Sequence, residues 1–245
     1  MKKILRALFD RLFVNSSRLY LEDFLRQAAS AAPAGARVLD AGAGDGRYGY
    51  LFAHTRYEAT DFAQVNKEYR LDQLDFIADL QAIPAANESY DLIICSQVLE
   101  HVKEPKIVLA QLYRVLKPGG TLWLSTPLFF AEHEAPHDYF RYTQYGLRYL
   151  LESTGFVIVR IDWLEGYYGP LAYQSLSAAL ALPVLPRQFG GGVVGLVAGL
   201  SALGLKPLLA IGSILATFLD QRYKQTQVGM CKNYALVARK RATVG

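Results

Sequence analysis

Arg37-Val-Leu-Asp-Ala-Gly-Ala-Gly-Asp-Gly-Arg-Tyr48 decides how the rest of the chain is read. The aliphatic run Val38-Leu39 ends in Asp40 and breaks into Gly42-x-Gly44-x-Gly46. An apolar pattern at helical spacing follows in Tyr48, Leu51 and Phe52, predicting a helix over 47–54. Strand, glycine turn and helix start in this order turn backbone N–H groups toward a ligand. Glycine suits the turn because it accepts positive φ and places no side chain between backbone and ligand. Alone, the pattern points to a nucleotide-like ligand and to no single family.

Downstream, strands and helices alternate. Strands are predicted at Tyr57–Asp61, Phe76–Asp79, Tyr90–Ser96, Thr121–Thr126, Phe156–Trp163 and Tyr234–Arg239. Helices are predicted at 19–29, 106–116 and 143–153, the second stopped by Lys117-Pro-Gly-Gly120. Such alternation implies a mostly parallel sheet with helices on both faces.

Length and composition set the bounds. A chain of 245 residues with 52% apolar and 20% charged residues can bury a substantial core, which excludes general disorder. The net charge of +4 is too small to demand nucleic acid, and no stripe of basic and aromatic residues is visible, so no nucleic-acid partner is expected. Cys95 and Cys231 sit in strand-like apolar runs without disulfide or zinc spacing, which suits a reducing compartment. No signal peptide is evident, and the expected location is cytoplasmic, peripheral on the inner face of a membrane.

Two segments lie outside the alternation. Residues 1–18 include Ile4, Leu5, Leu8, Phe9, Leu12 and Phe13 on one helical face, with Lys2, Lys3, Arg6, Asp10 and Arg11 on the other. A helix over 2–14 would either cover the core or lie on a membrane surface. Residues 164–228 form an apolar helical insertion before the last strand; from Gly166 to Leu219 the formal charges are Arg187 and Lys206 alone. Pro170, Pro183, Pro186 and Pro207 divide it, and both ends must return to one sheet, so a single membrane crossing is excluded. Peripheral membrane contact through 166–219, flanked by Arg187, Arg222, Lys224 and Arg239-Lys-Arg241, competes with a helical cap packed on protein.

The order of chemical features narrows the ligand. Asp61 ends the second strand, where a carboxylate can accept hydrogen bonds from ribose hydroxyls. Asp79 ends the third, and Ile83-Pro84, Glu88-Ser-Tyr-Asp91, Val98-Leu-Glu-His-Val102 and Leu116-Lys-Pro-Gly-Gly120 follow. In these motifs the chain resembles the class I S-adenosylmethionine-dependent methyltransferases, the small-molecule branch with a Leu-Glu-His-Val signature, over 20–163 and the closing strand. The resemblance implies an α/β, Rossmann-like, seven-stranded, mostly parallel sheet with an antiparallel last strand. The methyltransferase domain is expected at 19–163 and 229–241.

The same resemblance assigns roles. It implies S-adenosyl-L-methionine as cofactor, with Asp40, Gly42, Gly44 and Gly46 at its methionine moiety and Asp61 at its ribose. Asp79 and Leu80 would flank the adenine and Gln97 would line the pocket. The acceptor is expected to be a small-molecule, lipid-linked or sugar-containing compound, with a non-catalytic cofactor-binding scaffold as the alternative. A nicotinamide-dependent dehydrogenase fits poorly, because its third glycine would fall at Arg47. Beyond the fifth strand, Glu132-His-Glu-Ala-Pro-His-Asp-Tyr-Phe-Arg-Tyr-Thr143 faces the substrate side. His137 is the candidate base or acceptor-orienting group, supported by Asp138, Tyr139 and Arg141; the pair Asp138 and Arg141 could equally brace the loop. His101 is open between a structural and a functional role. Glu100 and His101 with Glu104, or with His133 and His137, could make a mixed oxygen and nitrogen metal site. Gln97 stands where a further carboxylate would help, and no metal is assigned.

Overall fold

Val38 and Leu39 are buried almost completely and sit opposite the equally buried Leu92 and Ile93 in an adjacent parallel strand. The computed structural model describes residues 16–63 and 71–242. The amphipathic helix expected over 2–14 lies outside the described residues. The chain divides into two compact units: Leu21–Leu164 with Asn233–Gly245, and Met1–Tyr20 with Glu165–Lys232.

The first unit is built on a seven-stranded sheet. Its strands are β1 (Arg37–Ala41), β2 (Arg56–Asp61), β3 (Phe76–Ile77), β4 (Tyr90–Ser96), β5 (Leu116–Pro127), β6 (Val157–Trp163) and β7 (Asn233–Arg239). They lie in the order β3-β2-β1-β4-β5-β7-β6. β1 to β5 pair in parallel, and β7 runs antiparallel to both β5 and β6. The expected Rossmann-like sheet with an antiparallel last strand is therefore the one observed. Helices α1 (Ser16–Ala31), α2 (Pro105–Val115) and α3 (Gln144–Ser153) accompany it. Phe24 of α1 packs on Trp123 of β5 at 5.1 Å between ring centres, and Tyr113 of α2 meets Phe156 edge to face at 5.1 Å. Thr143 caps α3 by accepting the Gly146 N–H.

Several expectations are corrected. The helix predicted over 47–54 is one 3-10 turn, Gly49–Phe52. Gly42, Gly44 and Gly46 all hold positive φ, and Gly49 follows three residues later, so no uninterrupted helix-forming run is available. The third strand stops at Ile77, and Asp79 instead caps a 3-10 turn over Leu80–Ala82. Lys117-Pro-Gly-Gly120 ends α2 but falls within β5, with Gly119 at φ +79° and the register shifting between Tyr90 and Leu92. Lys240, read as a basic flank, is buried. Its Nζ donates to the carbonyls of Tyr113 and Leu116 at 3.1 and 2.8 Å, satisfying the C-terminal end of α2.

The second unit holds α4 (Tyr168–Ala181) and α5 (Gly192–Tyr223). Pro207 was expected to divide the segment, yet α5 runs unbroken for 32 residues, about 48 Å. A proline costs a helix about 3 kcal/mol through one lost N–H and a clash with the preceding turn. Close packing on both sides of Pro207 offsets that cost. Gly195 and Gly199 lie so near the Pro186 and Val184 carbonyls that a Cβ would fall 2.4 and 2.6 Å from them. Ser213 donates to the Ala172 carbonyl at 2.8 Å, and the buried Asp220 accepts from the N–H groups of Gly166 and Gly169. Lys206, in mid-helix, donates to the Leu182 carbonyl at 2.7 Å, so the last turn of α4 takes up its charge.

At the end of β1, Asp40 is buried and accepts the Tyr57 hydroxyl at 2.5 Å. Burial pushes its carboxyl up to about 6 despite that bond. Between about pH 4 and 6 the native state thus binds a proton more tightly than the unfolded chain, and stability falls as pH rises through that window. Urea denaturation is expected to show the native chain losing about 2 kcal/mol relative to Asp40→Asn between pH 4 and 7. Parallel stability curves for the two proteins would refute this.

Candidate active site

Three chain turns meet where the strand order reverses, because β2 lies on one side of β1 and β4 on the other. Side chains and backbone beyond the carboxyl ends of such strands face a common crevice. Here the crevice is a cavity of about 370 Å³, within the range of small-molecule sites.

The turn after β1 is drawn against β2 by its backbone. The N–H groups of Gly42 and Ala43 both donate to the Thr60 carbonyl, at 2.8 and 2.9 Å. Asp61 closes the arrangement: Oδ2 accepts the Gly44 N–H at 2.8 Å and Oδ1 accepts the Ala63 N–H at 2.9 Å. Each carboxylate oxygen can accept more than one hydrogen bond, so lone pairs remain for the hydroxyls of a ligand. Gly42 holds φ +87°, and a Cβ there would fall 2.3 Å from Val98 Cγ2. Only glycine leaves that wall of the cavity open. Gly46 holds φ +64° and donates its N–H to the Ala43 carbonyl at 3.0 Å, shaping the turn from behind.

Gly42, Asp61, Asp79, Leu80, Gln97 and His137 line the cavity. Asp79 already accepts from the Gln81 N–H at 2.8 Å and from the Gln81 side chain at 3.2 Å. Gln97 has φ +56°, which a non-glycine residue seldom adopts, and its backbone and side chain both bond Ser125. The remaining predicted residues stand behind the wall. Asp40 is engaged by Tyr57, and Gly44 and Gly46 support Asp61 and the turn. Asp138 and Arg141 form a two-pronged ion pair at 2.6 and 2.8 Å.

Arg141 also donates to the carbonyls of Phe130, Ala131 and Phe140, so it gathers the loop after β5 around itself. Its guanidinium holds the Asp138 carboxyl well below the usual range. Tyr142 fixes the loop's far end by donating to the Leu99 carbonyl at 2.9 Å. His137 reaches Tyr139 Oη through Nδ1 at 3.1 Å. His101 lines the cavity, and its Nδ1 lies 2.6 Å from the His137 carbonyl. A carbonyl can only accept, so Nδ1 carries the hydrogen and Nε2 the lone pair. Beside it Glu100 is fully buried, and burial pushes its carboxyl up to about 8.

Phe62, Gln81, Val98, Val102 and Lys103 line the cavity without having been singled out as binding groups, and Tyr139, expected beside His137, lines it too. Their signal in the sequence was adjacency alone: Phe62 follows Asp61, and Val98 to Lys103 surround the Leu-Glu-His-Val segment.

Residues 14–160, more than half of the chain, match the family described as a methyltransferase domain. The chain is 43% identical over 102 residues to the demethylmenaquinone methyltransferase of Renibacterium salmoninarum, covering 39% of this chain and 42% of that protein. It is 35% identical over 112 residues to the ubiquinone biosynthesis O-methyltransferase of Xanthomonas axonopodis pv. citri, covering 40% and 46%. The chain thus spans less than half the length of these curated relatives. In fold it is similar to a SAM-dependent methyltransferase from Archaeoglobus fulgidus, with TM-score 0.56 and 17% identity over 96% of this chain and 99% of that one. It is also similar to the cyclase SpnF, with TM-score 0.58 and 20% identity over 93% and 81%. The glycine turn, the acid that ends β2 and the family match over 14–160 make this chain a member of the class I S-adenosylmethionine-dependent methyltransferases.

Proposed function

We propose that the protein transfers the methyl group of S-adenosylmethionine to a small, lipid-linked acceptor of the quinone-precursor class while resting on a membrane surface. The observation that carries the first half is the cavity at the strand reversal, where glycine at 42 and a carboxylate at 61 stand together. The residues suit the cofactor: Asp61 retains lone pairs for two ribose hydroxyls, and Gly42 keeps open a cradle that a Cβ would fill. Asp79, Leu80 and Gln97 would meet the adenine end, with Asp40, Gly44 and Gly46 holding the turn at the methionine end.

When bound, the cofactor supplies a sulfonium methyl that is already activated, so the protein's work is placement and exclusion of water. His137, at the cavity wall beside Tyr139, orients an acceptor hydroxyl or takes its proton. Asp138 and Arg141 act as positioning residues by fixing the loop that carries His137.

The acceptor class follows the names of the two relatives, both concerned with quinones, and the exposed apolar unit supports it. Helix α5 contains an 18-residue stretch of mean hydropathy 1.9, is long and apolar enough to cross a membrane, and leaves Val193, Val194, Leu200, Leu203, Leu208 and Ile211 more than half exposed. The insertion leaves the sheet after β6 and returns at β7, with the Leu164 N–H bonded to the Asn233 carbonyl at 2.9 Å. Departure and return at one place favour in-plane contact over a crossing.

Calorimetry is expected to show S-adenosylmethionine binding that falls at least about tenfold in Gly42→Ala, as a lost hydrogen bond or forced shift of about 1.4 kcal/mol would produce. Absence of binding by the native protein would overturn the enzyme reading. With a methyl-labelled donor and a membrane-lipid extract, label is expected in a quinone-type lipid; label confined to water-soluble products would exclude a lipid acceptor. Replacing Val194, Leu200, Leu208 and Ile211 together with serine is expected to abolish flotation with liposomes. Unchanged flotation would remove the insertion as the anchor.

A further inference from the structure

We infer that Glu100, His101 and His133 form a site for one first-row divalent metal ion, of the kind bound by mixed carboxylate and imidazole donors. One ligand atom from each of the three lies within 4.8 Å of the others. Donors about 2.0–2.2 Å from a shared ion stand roughly 3–4.4 Å apart, so a small side-chain adjustment closes the set.

Glu100 supplies the independent observation. Its side chain is fully buried, and neither carboxylate oxygen has a hydrogen-bond partner among the described residues. A buried carboxylate is ordinarily paired, hydrogen-bonded or on a metal. Arg141 directs its guanidinium to Asp138 and to three backbone carbonyls instead.

Both imidazoles are oriented as ligands. His101 gives its Nδ1 hydrogen to the His137 carbonyl at 2.6 Å, which leaves the Nε2 lone pair 3.8 Å from Glu100 Oε1 and 3.9 Å from Glu134 Oε2. His133 has Nδ1 at 3.2 Å from the Ala131 carbonyl and 3.4 Å from Asp138 Oδ2, so its Nε2 is the free nitrogen. An imidazole whose second nitrogen is held by a carbonyl or carboxylate is the usual form of a metal-bound histidine. The two rings meet edge to face at 4.7 Å between centres. Sequence alone assigned no metal because Gln97 is no carboxylate; the fold brings His133 to the site from the loop after β5. Oxygen and nitrogen donors together select Zn²⁺, Co²⁺ or Mn²⁺ over Mg²⁺ and Ca²⁺.

The test uses the full chain stripped by a chelator and needs no methyl transfer. Titration with Zn²⁺ is expected to give one ion per chain, and Co²⁺ is expected to give visible d–d absorption. His133→Ala should weaken Zn²⁺ binding by at least about tenfold while leaving the circular dichroism of the metal-free protein unchanged. Glu100→Gln should abolish the rise in melting temperature that Zn²⁺ gives the native chain. The inference is overturned if the native chain takes up no more Zn²⁺ than the double variant His101→Ala/His133→Ala, or if Mg²⁺ or Ca²⁺ binds in preference.

Discussion

The carboxylate of Asp61 is the tie on which the site depends. It holds the Gly44 N–H on one side and the Ala63 N–H on the other, joining the turn after β1 to the turn after β2. Backbone bonds from Gly42 and Ala43 to Thr60 run alongside it, and the Tyr57 hydroxyl secures Asp40 beneath. These bonds are made on one side of the point where the strand order reverses, and the turn after β4 closes the crevice from the other side. A turn with three glycines at positive φ gives up much conformational freedom, and this set of partners offsets that cost.

The loop after β5 is organised on a different principle. Arg141 sits at its centre, with a fork on Asp138 and further donors on three carbonyls, while Tyr142 donates to the Leu99 carbonyl in the turn after β4. The loop is thereby pressed over the 3-10 turn Leu99–His101. Its consequence is local and chemical: His137 reaches the cavity, its carbonyl sets the tautomer of His101, and His133 approaches Glu100. Strength resides in the charged fork, whereas reactivity resides in the histidines it positions.

The helical unit shows how an apolar sequence tolerates features that ordinarily break it. Proline at 207 and lysine at 206 stand in the middle of α5, yet the helix continues. Small residues on its inner face bring it against the segment around Pro186, and the end of α4 receives the lysine. The outward face keeps its leucines, valines and isoleucines in contact with solvent, far more apolar surface than isolated exposed residues would give.

Much of this protein was legible in its residues. Alternating apolar runs, the stops at glycine and proline, and the order of Asp40, Gly42, Asp61 and the Leu-Glu-His-Val segment determined the sheet, its family and most of the cavity wall. They suffice because strand periodicity and turn chemistry are local properties. Local rules also misled where neighbours intervene. The helix after Gly46 shrank to one turn, the third strand gave way to a cap at Asp79, and Pro207 failed to break α5 because packing outweighs propensity. Only the tertiary structure decided which polar groups work together. Asp138 and Arg141 turned inward to each other, and Lys240 became a helix cap. Glu100 came to lie with His133, 33 positions away in the chain, without a hydrogen-bond partner. Such pairings depend on distances between strand ends, which no spacing along the sequence encodes.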